Sequence, residues 1–125
     1  MEKKLFELHE ENTEFTRQLE FYKDEMKIMQ IRIEEIAKKN NRKEVLMKVE
    51  QYQNQLIIQR NNLDELKHKI NEKEQSIRKN INANPIASDH RKMQDHEQNR
   101  EDVKNFTKHM ANFRKEMNEF LAKHL

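Results

Sequence analysis

The chain has no glycine, no cysteine and no tryptophan, and one proline among its 125 residues. Glycine supplies the positive-φ turns of β-hairpins and the tight loops whose backbone approaches phosphate, so its absence argues against hairpin-built folds and nucleotide-binding βα units. It also removes the P-loop, the dinucleotide fingerprint and the G-x-S-x-G elbow. The lack of cysteine excludes disulfides and thiol chemistry. No sign of charge dominates either: 25 Lys and Arg stand against 23 Asp and Glu, interspersed, for a formal net charge of +2. That balance gives no electrostatic case for DNA binding. With no long apolar run and no signal-peptide pattern at the start, neither a membrane span nor secretion is expected, and a cytoplasmic location is.

What is present is charge and periodicity. Charged residues make up 38% of the chain, the profile of long, coiled-coil-like helices, but a mean hydropathy of -1.28 would also suit disorder. Spacing decides between them. Leu5, Leu8, Asn12, Phe15, Leu19, Tyr22, Met26, Met29, Ile33 and Ile36 follow a 4-3 repeat that places them along one seam of a helix. A second seam runs through Val45, Val49, Tyr52, Leu56, Gln59, Leu63, Leu66, Ile70, Lys73 and Ile77, out of phase with the first. Between them Lys38 and Lys39 suit a helix C-terminus, and Asn41 with Glu44 resembles an N-cap and its reciprocal partner. Pro85 and Ser88 mark a second boundary. A third seam then runs through Asp89, Lys92, His96, Asn99, Val103, Phe106, Met110, Phe113, Met117 and Phe120.

The expected fold is therefore all-α. A single helical-bundle domain over 1–125 forms an antiparallel three-helix bundle, with helices at about 2–39, 42–81 and 88–124. Each helix spans about 55 Å at 1.5 Å per residue. The layout is similar to spectrin-like three-helix bundles in connectivity and helix length. It lacks the core tryptophan common in those repeats, and a likeness of architecture implies no function.

Folding the chain back at residues 40–41 and again after Ile81 brings Leu8, Lys73 and His96 level, and next to them Asn12, Ile70 and Asn99. The polar seam residues thus gather at one end, which is expected to be hydrated or loosely packed. His90 and His96, in the stretch SDHRKMQDHEQNRED, fit that wet end as solvated or partly solvated side chains. A metal or proton site there would draw on His9, His96 and Asp89 or Asp95, three or four of which would have to converge. No cofactor is expected. At the middle of the bundle Tyr22 comes level with Gln59, placed for a buried hydrogen bond.

Nothing recommends catalysis. Glu65-Leu-Lys-His68 matches the local pattern of a di-metal carboxylate site, but Leu63, Leu66 and Ile70 define the inward face and put His68 on the far side. Ser76 and Ser88 are the only serines, and neither has an evident base beside it in sequence. No catalytic residue is assigned. Nine basic against six acidic residues in helix 2 leave a nucleic-acid accessory role as a third possibility, opposed by their scatter around the cylinder.

Large apolar residues remain off the seams: Phe21, Ile28 and Ile31 on helix 1, and Met47, Ile57 and Ile58 on helix 2. Apolar surface of this kind marks a contact. The expected role is a non-enzymatic interaction or structural module, self-associating as a homodimer or meeting another protein's helix through these six residues. A metal-binding protein built on the His9 and His96 end is the alternative.

Overall fold

Three helices account for nearly all of the described chain: α1 over Glu2–Lys39, α2 over Lys43–Asn82 and α3 over Asp89–His124. The structure, a computed structural model, describes the backbone of residues 2–82 and 89–125 and the side chains of residues 5–79 and 96–125. The expected cap at Ser88 and the boundary at Pro85 lie outside the described residues.

The first reversal occupies residues 40–42. At the end of α1, Asn40 closes onto the Ile36 carbonyl twice, its backbone N–H donating at 3.0 Å and its side-chain Nδ2 at 2.9 Å, so the last turn is sealed by the residue that leaves the helix. The cap of α2 falls one residue later than Asn41: the Leu46 N–H donates to the Arg42 carbonyl at 3.1 Å, which makes Arg42 the half-in residue. Lys38 and Lys39 in the last turn of α1 and Glu44 in the first turn of α2 complement the helix dipoles.

Every apolar seam residue of the described side chains except Tyr22 and Tyr52 is buried, and those two are half-buried. α1 and α2 run antiparallel, joined across their contact by Lys67 to Glu20 and by His9 to Glu74. α3 returns parallel to α1, fixed by Arg114 on Glu25 and Arg100 on Glu11. The bundle is an all-α, three-helix arrangement as the spacing predicts. α3 brings phenylalanines to both neighbours: Phe106 meets Tyr22 edge-on at 5.8 Å, and Tyr52 contacts Phe113 and Phe120 at 6.2 and 5.0 Å. Each tyrosine thereby buries ring area against α3.

The core is in two parts. A large cluster runs from Phe15 to Ile36 on α1, Val45 to Ile70 on α2 and Val103 to Leu121 on α3, and Leu5, Leu8 and Ile77 form a small separate one. Asn12, His96 and Asn99 lie between them, 1%, 2% and 3% exposed.

Candidate functional site

Two features could carry function: the polar layer and the apolar residues left outside the seams. In the polar layer, the Glu11 carboxylate accepts two bonds from Arg100, Nε at 2.6 Å and Nη2 at 3.0 Å. His96 Nε2 approaches the same carboxylate at 3.3 Å, off the line of a hydrogen bond, while its ring stacks on Phe15 at 5.8 Å. His96 therefore sits about one turn further along α1 than Leu8, its expected level. On the α2 side, His9 Nδ1 lies 2.5 Å from Glu74 Oε2, and Asn12 Nδ2 donates to Glu74 Oε1 at 3.4 Å.

Four buried polar atoms here have no hydrogen-bond partner among the described residues: Asn12 Oδ1, both ring nitrogens of His96, and Asn99 Nδ2. An unsatisfied buried donor or acceptor costs about 1–3 kcal/mol, so these four atoms call for a partner, and the layer interrupts the apolar packing between the two clusters.

The arrangement does not assemble a metal centre from what is described. His9 and His96 are engaged on different carboxylates, and among the described residues no group of three or more His, Cys, Asp or Glu is placed to hold a metal ion. The side chains of Asp89, Asp95 and His90 lie outside the described residues. His68 points outward, on Glu72 at 3.1 Å. Tyr22 is taken up by Phe106 and by Arg114, whose guanidinium lies 5.8 Å above its ring, so the expected pairing with Gln59 gives way to an aromatic and cationic one.

The Arg100 guanidinium bonded to Glu11 holds that carboxyl below its ordinary value of 4.5, against the opposing effect of burial and with His96 assisting. A carboxyl held lower in the folded than in the unfolded chain stabilises the fold above its unfolded value, and the contribution is lost as pH falls through the folded one. Acid titration of unfolding free energy below pH 4.5 is expected to be shallower for Glu11→Gln than for the native chain. An identical slope would mean that the clamp is energetically idle.

Further along, Glu25 accepts Arg114 Nε at 2.6 Å and Nη2 at 2.8 Å. A double-mutant cycle on Glu25→Gln and Arg114→Met is expected to return a coupling of about 0.5–1 kcal/mol, and zero coupling would exclude it as a determinant of α1–α3 register. Sequence reading missed both clamps. The signal was available: Glu11 and Glu25 are two heptads apart, and so are Arg100 and Arg114. Near the first reversal, Tyr52 stands in a groove of about 450 Å³ between α2 and α3, its hydroxyl pushed up by burial and then by Glu116 and Glu119.

Phe21, Ile28, Ile31, Met47, Ile57 and Ile58 are each more than half exposed. The ion pairs fix which way each one faces. α1 turns the flank with His9 and Glu20 to α2, and the flank with Glu11 and Glu25 to α3. Phe21 and Ile28, four before and three after Glu25, lie on the α3 side. Ile31 points directly outward. On α2, Leu46 shares a column with Lys67 and Glu74, and Ile57 lies beside it, so both border the groove with α1. Ile58 shares the column of Glu65, which lines the groove with α3. The six thus divide among faces: Ile57 on the α1–α2 face with Ile31 and Met47 at its shoulders, and Phe21, Ile28 and Ile58 around the corners.

No family model, curated protein or solved structure matches the chain. Among the described residues no helix is long and apolar enough to cross a membrane.

Proposed function

We propose that the chain is a non-enzymatic helical-bundle interaction module that pairs with a second copy of itself through the outer face of α1 and α2. One observation carries this reading. Among the described residues nine large hydrophobics are exposed, of which eight lie on α1 and α2 and the ninth is Leu125. Scattered exposed apolar residues need no explanation, but their absence from the outer side of α3 over its described side chains concentrates them on the α1–α2 half of the bundle.

A copy suits that face better than a strongly charged partner. Its exposed rim alternates in sign, with Lys27 and Glu34 on α1 and Glu50 and Arg60 on α2, so a two-fold operation can set opposite charges together. Leu46, Ile31, Met47 and Ile57 form the centre, while Phe21, Ile28 and Ile58 extend past the edges. The four central side chains, with the charged rim around them, would have to bury the roughly 800 Å² per partner of a standard interface.

Light scattering coupled to size exclusion tests the proposal on the unmodified chain. A dimer at about 100 μM that dissociates on dilution is expected, an affinity of roughly 8 kcal/mol for a micromolar constant. A monomer throughout would dispose of self-association.

A further inference from the structure

The polar layer has features the self-association reading does not use. Its unsatisfied atoms are complementary in kind. Asn12 Oδ1 is an acceptor, Asn99 Nδ2 a donor, and a neutral imidazole at His96 offers one of each. The orientation of Asn12 is not arbitrary: Glu74 Oε1 accepts from its amide nitrogen, and a carboxylate can only accept, so the amide oxygen must turn inward. Turning it around would set oxygen against oxygen. His96 in turn cannot swing out to solvent without giving up the Phe15 face on which it stacks and its place beside the Glu11–Arg100 pair.

All three side chains are more than nine-tenths buried and occupy seam positions that a hydrophobic residue would otherwise fill. A molecule that satisfies them must be small, must donate to Asn12 Oδ1 and accept from Asn99 Nδ2, and must be able to serve His96 in either role. Water meets each condition, since it donates twice and accepts twice and typically makes about three bonds when buried. An apolar molecule meets none. A metal ion would leave the Asn99 donor unserved.

We propose that this layer is an internal water-binding site, with ordered water held between α1 and α3 by Asn12, His96 and Asn99. The water bridges the two helices where the apolar core is interrupted, completing the polar network without a direct side-chain bond. It also fixes their relative register, because sliding either helix by one turn would part Asn12 from His96 and Asn99 and leave the water without one of its partners.

Water-to-protein magnetisation transfer on the isotopically labelled full chain tests the site directly. The side-chain amides of Asn12 and Asn99 are expected to show cross-peaks to long-lived water, of opposite sign to those of surface amides. Absence of those cross-peaks, with a direct Asn12–Asn99 hydrogen-bond coupling in their place, would overturn the proposal. A second readout is Asn99→Leu, which removes one water partner. The Asn12 water signal is then expected to fall at least threefold, whereas an unchanged signal would show that Asn99 does not hold the water. Should that variant fail to fold, the measurement on the native chain decides alone.

Discussion

Leu63→Ala is expected to lower the unfolding free energy of the bundle by about 3–4 kcal/mol, while Leu5→Ala changes the global transition by less than about 1 kcal/mol. Both leucines are fully buried, so burial alone predicts equal losses. They differ in where the burial is shared. Leu63 belongs to the large cluster that joins all three helices, and Leu5 to a small one with Leu8 and Ile77, beyond the polar layer. Removing methyl groups from the large cluster leaves a cavity that packed neighbours cannot close. At the far end only a few apolar contacts oppose opening, and that end can unfold before the rest. Urea denaturation followed by helicity measures the global effect. Hydrogen exchange supplies the local one: amides near Leu5 and Ile77 should exchange through a lower-energy opening than those near Leu63. With stabilities of such domains at about 5–15 kcal/mol, the Leu63 loss is a large share. Equal losses for the two variants would mean that the layer does not divide the core.

The two seams around the first reversal were legible because heptad spacing survives wherever a helix buries one stripe, and their two-residue phase offset argued for a break that the weak breakers Asn40 and Asn41 alone did not require. The grouping of Asn12, His96 and Asn99 was legible for the same reason, as polar residues standing on those stripes, but their burial was not: His96 is 2% exposed where its place in a polar end suggested a solvated side chain. Capping was less so. Which carbonyl accepts the first bond of α2 depends on backbone angles over residues 40–42, and Arg42 took the place that the side chain of Asn41 suggested. The partner of Tyr22 was misread because level-matching locates side chains along the axis and not around it. Phe106 and Arg114 reach Tyr22 from α3, and Gln59 lines the α2–α3 groove with Phe106. The same limit hid the division of the six apolar residues, since spacing places Ile57 and Ile58 side by side and only the cross-helix ion pairs show them facing different grooves.

That division yields the sharper test of self-association. Ile57→Glu is expected to raise the dimer dissociation constant at least about a hundredfold, close to 3 kcal/mol, and Ile58→Glu to change it by less than about threefold. Ile57 borders the α1–α2 groove at the centre of the proposed contact, where a carboxylate would be desolvated without a partner. Ile58, its neighbour in sequence, lies toward α3 and keeps its access to water. Since both are half exposed in the single chain, neither substitution removes core packing, and matched unfolding free energies of the monomers would separate an interface effect from a folding one. Sedimentation equilibrium on both variants measures the two constants. Equal weakening would move the contact to the outward line of α2 as a whole, and weakening by Ile58→Glu alone would place it in the α2–α3 groove. A null effect of both would leave these side chains as ordinary exposed surface, with association, if any, carried by α1.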